Sequence, residues 1–220
     1  MVQGHDRHGS RIFNEGGQTG GPAAFAPNPY DRKAEWGPAM YDTPHSGNMA
    51  IVWDLPFGKG RKWMNGGNPV LQGLFGGWNL STIAQVRTGM RVTPNAPDQS
   101  QVGARSGRPD RVGDGKGDKV VGPNGTWFDT TAFVLPKLGT FGNSGYGVIT
   151  GPGLATLDAT FAKRFKFSDA RYLELRGEVF NVTNTPIFNA PNPSINNPDF
   201  GKVLNAQGAR QIQLSVKLHF

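Results

Sequence analysis

Glu174, Arg176 and Glu178 alternate along one short stretch, and they are the closest this sequence comes to an acid–base pair. Placed on a strand, the two glutamates share a face but stand roughly 13 Å apart at the usual rise per residue. That exceeds the carboxylate separation that glycoside hydrolysis needs. The trio is expected instead to be a charged patch on the wet side of a strand. Gly113-Asp114-Gly115-Lys116-Gly117-Asp118 resembles a calcium loop at first sight, but it lacks the alternating oxygen ligands and the closing glutamate. A plain loop is expected there. His5, His8, His45 and His219 show no ligand spacing beyond the first two. The sequence has no cysteine, which excludes thiolate metal sites, disulfides and cysteine nucleophiles. Phe57-Gly58-Lys59-Gly60-Arg61 has neither the spacing nor the following hydroxyl of a phosphate loop, and no G-x-S-x-G elbow occurs. The sequons at Asn79, Asn124 and Asn181 read as chance. No enzyme, metal or cofactor is expected.

The elements that would position these residues are strands. Period-two alternation is clear in five segments. Residues 48–57 set Met49, Ile51, Trp53, Leu55 and Phe57 on one face. Residues 78–93 carry Trp78, Leu80, Thr82, Ala84, Val86, Thr88, Met90 and Val92. Residues 157–167 align Leu157, Ala159, Phe161, Phe165 and Phe167, with Lys163 breaking the apolar face. Residues 171–182 set Leu173, Leu175, Gly177 and Val179 against the charged trio. The cleanest is the last, 210–220, where Ile212, Leu214, Val216, Leu218 and Phe220 alternate with polar partners. A sixth strand is expected at 200–204, and no helix. Lengths of about ten residues suit tilted membrane-crossing strands better than soluble sheets. Residues 168–170 form a tight turn, whereas more than sixty residues separate the second strand from the third. Short turns alternating with long loops is how outer-membrane barrels are built. Trp53, Phe57, Trp63 and Trp78 fit an aromatic girdle at a membrane edge.

Composition agrees with strands and loops. The 32 glycines and 17 prolines of the 220 residues crowd between the alternating runs. The net charge of +7 is compatible with nucleic acid, anionic head groups or acidic ligands. Long basic runs and interleaved stacking aromatics are missing, so nucleic acid is not expected as a partner. No stretch approaches the ~20 apolar residues of a membrane helix.

Several stretches then occur in a telling order. Asp31-Arg32-Lys33-Ala34-Glu35-Trp36-Gly37 and Tyr41-Asp42-Thr43-Pro44-His45 precede Trp53-Asp54-Leu55-Pro56-Phe57-Gly58-Lys59-Gly60-Arg61. Gly76-Gly77-Trp78-Asn79-Leu80, Arg87-Thr88-Gly89, Trp127-Phe128-Asp129-Thr130-Thr131-Ala132-Phe133 and Thr140-Phe141-Gly142-Asn143 follow. Gly151-Pro152-Gly153 with Asp158, Leu175-Arg176-Gly177-Glu178-Val179-Phe180-Asn181-Val182-Thr183-Asn184, Phe200-Gly201 and Arg210-Gln211-Ile212-Gln213 complete the set. From about Asn28 onward the chain resembles the C-terminal barrel region of TonB-dependent outer-membrane receptors, in the Oar-like group with a carboxypeptidase-regulatory-like domain.

That resemblance implies a 22-stranded barrel around an N-terminal plug, driven by an inner-membrane energy-coupling complex of TonB type. Such receptors import metal chelates, vitamins, oligosaccharides or peptides across the outer membrane of a Gram-negative-type cell. The chain would supply only the last five or six strands, an all-β, antiparallel, up-and-down transmembrane barrel segment with long extracellular loops. Residues 1–45 are expected to be a loop or arm and 46–220 the barrel part. Outer-membrane lipid, the rest of the barrel and the plug would be its partners. Ile212, Leu214, Val216, Leu218 and Phe220 resemble the signal read by the barrel-assembly machinery, because an exposed last strand can pair with a templating edge. Glu174, Arg176 and Glu178 would then face the lumen.

Two other readings compete: a soluble β-sandwich binding module, and a self-assembling surface or fibre subunit pairing through open edges. Residues Met1 to Asp6 lack the charged-then-apolar plan of an export signal. If the chain is a barrel, it is therefore expected to be a fragment, not competent for transport alone.

Overall fold

The computed structural model describes residues 28, 30–66, 68–104, 106–168 and 170–220. The N-terminal stretch 1–27, including His5 and His8, lies outside the described residues. In chain order the strands are β1 (Ser46–Asp54), β2 (Trp78–Arg87), β3 (Arg91–Val92), β4 (Asp110–Arg111), β5 (Phe133–Val134) and β6 (Ile149–Thr150). They continue with β7 (Leu154–Lys166), β8 (Tyr172–Phe180), β9 (Ile187–Phe188), β10 (Ala206–Gln207) and β11 (Gln211–His219). One helix, α1 (Pro69–Phe75), and two 3₁₀ turns, Arg32–Glu35 and Thr130–Ala132, complete the set. The chain divides into two compact units, each taking several separate segments.

The sheet unit takes Ser46–Arg87, Leu154–Ile187 and Gln207–Phe220. Its five long strands pair antiparallel in the order β1-β2-β7-β8-β11, and the sheet is open, with β1 and β11 as edges. The register places every apolar set of the alternating segments on one side. Trp53 lies opposite Leu80, Leu80 opposite Phe161, Phe161 opposite Gly177 and Gly177 opposite Leu214. A slip of one residue anywhere would put a polar set among these rows, so the pattern itself holds the register.

At one end of this sheet, Phe167 and Arg171 close a turn in which the Phe167 and Ser168 amides donate to the Arg171 carbonyl at 2.9 and 3.1 Å. At the same strand end, residues 55–77 join β1 to β2. The long connections leave from the other end, at Ser46, Arg87, Leu154, Phe180 and Gln211. β8 stops where Asn181 takes a positive φ of 52°, a conformation that asparagine tolerates well. The Asn181 side-chain amide donates to the Thr185 and Gly208 carbonyls, and its oxygen accepts from the Thr185 amide. This buried knot accounts for the Asn181-Val182-Thr183-Asn184 motif and leaves Asn181 no role as a glycan acceptor.

The loop unit takes the described residues up to His45, together with Thr88–Gly153 and Phe188–Ala206. It has little regular structure, yet it holds the only cluster of buried apolar residues among those described: Val92, Phe128, Ala132, Phe133, Ile149 and Phe200. Phe128, Phe133 and Phe200 meet edge to face, with centroids 5.2 to 6.3 Å apart. This geometry adds to the stabilisation that burial alone supplies.

Three expectations are corrected. The second strand does not run on to residue 93. It ends at Arg87, and the alternation resumes only as β3, where Arg91 and Val92 pair with Thr150 and Ile149 of β6. The 200–204 strand is absent: Phe200 and Lys202 close turns onto Asn197 and Asp199, and the Phe200 ring is drawn into the core. Finally, α1 exists. Asn68 caps it by accepting from the Val70 amide, Pro69 opens it, and Gly76 and Gly77 end it. Its seven residues are too few to show a helical period.

Two motif glycines mark places where backbone runs against backbone. A Cβ on Gly89 would stand 1.8 Å from the Gly151 carbonyl oxygen, and one on Gly142 would stand 1.9 Å from that of Arg108. Gly89→Ala is expected to destabilise the loop unit by about 1–3 kcal/mol or more, the usual cost of overpacking. Faster proteolysis within 88–153 is the readout; an unchanged cleavage rate would show that the two segments can separate freely.

Candidate functional site

The sheet presents two chemically opposite faces. One carries Met49, Ile51 and Trp53 of β1; Trp78, Leu80, Ala84 and Val86 of β2; and Leu157, Phe161 and Phe165 of β7. Leu173, Leu175 and Val179 of β8 and Ile212, Leu214, Val216 and Leu218 of β11 continue it. Lys163 is the single charged strand residue on this face. The other face carries Asp54, Arg87, Asp158, Arg164, Lys166, Glu174, Arg176, Glu178 and Lys217, with Ser, Thr, Asn and Gln between them. Apolar exceptions there are Ala50 and Val52 of β1, Ile83 of β2, Leu154 and Ala162 of β7 and Phe180 of β8.

The apolar face is not covered. Ile212, Leu214, Val216, Leu218 and Phe220, expected from the sequence to resemble an assembly signal, are between 60% and 95% exposed. An apolar surface of this extent, broken only by Thr82 and by Lys163 under α1, on strands of 9 to 13 residues, calls for a non-aqueous neighbour.

On the charged face the structure brings Glu174, Arg176 and Glu178 into ion pairs and adds a partner not singled out from sequence. Arg164 Nε meets Glu174 Oε2 at 2.7 Å, and Arg176 Nη2 meets Glu178 Oε1 at 2.7 Å. Lys217 stands opposite Glu174 from β11, so that carboxylate lies between two cations in the ladder. Tyr172 and His219, directly opposite each other, stack with centroids 4.2 Å apart, and the Arg164 guanidinium lies 5.4 Å from the Tyr172 ring. Cross-strand pairs of this type tie β7, β8 and β11 together. Arg164 was legible only as one charge in an alternating run; its pairing with Glu174 follows from the register of β7 against β8.

The four aromatics expected to form a girdle gather at the strand end that holds the short turn. Trp53 and Trp78 stand on the apolar face, and Phe57 and Trp63 contact each other at 5.2 Å just beyond Asp54. The Trp78 indole donates to the Leu74 carbonyl at 2.9 Å.

The loop unit has a shallow hollow lined in part by Asp98, Ser100, Arg108 and Phe141. Its polar groups are committed to the chain itself. Asp98 accepts from the Ser100 hydroxyl and from the Ala104 amide, and Arg108 donates to the Ala34 and Ser144 carbonyls. The Ser100 hydroxyl holds the Asp98 carboxyl below its ordinary value, against an opposing push from burial. A depressed folded-state value means the ionised form stabilises the fold above the unfolded value of 3.8, and that this stabilisation is lost as pH falls through the folded value. Protection of the 98–104 amides against hydrogen exchange, corrected for the pH dependence of the intrinsic rate, is therefore expected to fall on acidification below the usual carboxylate range. Asp98→Asn should flatten that dependence; a profile identical to the parent would rule Asp98 out as its source. In the calcium-like loop, Asp114 caps the Lys116 amide and pairs with the Lys116 ammonium at 3.2 Å. No metal-ligand cluster occurs among the described residues.

Comparison with known proteins gives one result. A family model described as "Outer membrane beta barrel domain" matches residues 9–213. No curated protein and no solved structure matches the chain.

Proposed function

Because this chain belongs to the outer-membrane β-barrel domain family, we propose that it supplies the closing strands of a TonB-dependent receptor barrel of the Oar-like group, for solute uptake across the outer membrane. The observation that carries the proposal is the two-faced sheet: five strands in one register, apolar on one side and ion-paired on the other. The apolar face would meet lipid and the charged face the lumen. Five strands cannot close a membrane barrel, for which eight is the usual minimum. The edges of β1 and β11 are then where the remaining strands would pair, β11 being the edge offered to the assembly machinery. The plug and the energy-coupling complex would act on the completed barrel.

The ordered motifs favour a receptor over a simple pore, and so does the loop unit. Segments Thr88–Gly153 and Phe188–Ala206 fold around an aromatic core of their own, which gives a shaped surface that a ligand could recognise. Disrupting the gene is expected to abolish gradient-dependent uptake of one member of a panel of metal chelates, vitamins, oligosaccharides and peptides, with sensitivity to a protonophore. Uptake that persists for every member would overturn the receptor assignment and leave the barrel assignment standing.

A further inference from the structure

The connection between β1 and β2 has a composition that a simple strand turn does not require. Residues 55–77 include Lys59, Arg61 and Lys62 and no acidic residue. They also expose Trp63, Val70, Leu71, Leu74 and Phe75 by between 44% and 66%. The connection is nevertheless well built. Gly58 takes a φ of +109°, and a Cβ on it would stand 2.8 Å from the Gly76 Cα, so the two ends of the segment touch. The Leu55 amide donates to the Trp78 carbonyl at 2.9 Å, and the Gly58 amide to that of Trp63 at 2.9 Å.

Two contacts fix where α1 lies. Lys163 Nζ donates to the Gly73 carbonyl, and the Trp78 indole donates to the Leu74 carbonyl. Lys163 and Trp78 stand directly opposite each other on the apolar face. The last turn of α1 therefore lies over the apolar side of the strand ends, away from the charged side. This accounts for the one cation on that face. Lys163 is 4% exposed, its charge meets a carbonyl of the helix, and its ammonium sits 5.6 Å from the Trp78 ring and 4.9 Å from that of Phe165. The same strand end bears the short turn at 167–171, and in outer-membrane barrels short turns are periplasmic.

We infer that residues 55–77 anchor the protein in the inner leaflet of the outer membrane, with the apolar side chains of α1 in the headgroup–acyl boundary and Lys59 and Lys62 on the phosphates of anionic phospholipids. The inference rests on the lipid-facing reading of the sheet. Three observations select lipid over a protein partner. α1 exposes apolar side chains and is bonded to Lys163 and Trp78 of the apolar sheet face, the cations have no acidic counterpart within the segment, and Lys62 lies 5.6 Å from the Trp63 ring at the rim. Apolar side chains, a tryptophan and lysines together are the make-up of segments that lie in a membrane interface. Arg61 is paired with Asp54 at 3.2 Å, which leaves the two lysines as the phosphate contacts.

These 220 residues contain no cysteine, so once any cysteine elsewhere in the completed barrel is replaced by serine, each introduced thiol is unique. Leu74→Cys and Ile51→Cys, the second on the apolar face of β1, would each carry a fluorophore. The protein purified from the outer membrane would be reconstituted into mixed phosphatidylcholine–phosphatidylglycerol vesicles, with bromine quenchers on the upper acyl chain of either lipid. Both labels are expected to be quenched. The Leu74→Cys label should be quenched more by brominated phosphatidylglycerol, given roughly fivefold enrichment of anionic lipid around each lysine. Lys59→Gln with Lys62→Gln should remove that preference and keep the quenching. Quenching at Ile51→Cys without quenching at Leu74→Cys would overturn the anchor and leave the lipid-facing sheet intact; silence at both would overturn the sheet reading itself. Equal quenching by the two lipids would overturn the phosphate contacts.

Discussion

Leu214→Arg is expected to keep the protein out of the outer membrane, while Gln213→Arg, one residue away, is expected to be tolerated. Leu214 lies mid-strand on β11, is highly exposed and belongs to the apolar row shared with Gly177, Phe161, Leu80 and Trp53. An arginine facing hydrocarbon at mid-depth costs about 2–4 kcal/mol in a membrane barrel. The same residue stands in the alternation that the proposed assembly signal uses, so under that proposal recognition and insertion would fail together. Gln213 points to the opposite face, opposite Glu178, where a second arginine meets a carboxylate. The measurement is the fraction of each variant that migrates as a heat-modifiable, urea-resistant species in outer-membrane preparations. Equal assembly of the two variants would remove the distinction between lipid and lumen faces, and with it the basis for a barrel reading of the sheet.

Phe128→Ala is expected to unfold the core of the loop unit. Phe128 is 2% exposed and touches Phe133 at 5.7 Å and Phe200 at 5.2 Å, both edge to face. Truncating a buried phenylalanine costs about 3–5 kcal/mol through lost transfer energy and the cavity left behind. The loss is severe because this unit has few other buried apolar groups to compensate. Exchange of amides on β4, β5 and β6 should approach the rate of unprotected backbone, with the amides of β8 as an internal reference. Protection that survives the truncation would mean that the backbone hydrogen bonds of the loops, and not the three rings, hold the unit.

The alternation of the long strands is a local property. Each segment declares its two faces without reference to any other, so all five strands of the sheet were legible in the sequence, as were the tight turn and the charge trio. The resemblance added the family-level expectation of a membrane barrel. What period-two patterning does not carry is the loop unit. Val92, Phe128, Phe133, Ile149 and Phe200 come from distant points of the chain, in apolar stretches too short to show a period, so no window of sequence shows them as a core. A run such as 78–93 even keeps alternating past Arg87, and nothing local shows that the strand is interrupted where Gly89 meets the Gly151 backbone.

Lys163 shows the division most plainly. By itself the sequence determined that a cation interrupts an apolar face, and that Trp78 and a glycine-bounded segment lie elsewhere in the chain. Only the tertiary structure decided that these meet, because the antiparallel register of β2 and β7 sets Lys163 opposite Trp78 and α1 folds over both. The physical reason is general: face and period follow from neighbours in sequence, whereas the partner that neutralises a buried charge is set by contacts between residues far apart in the chain.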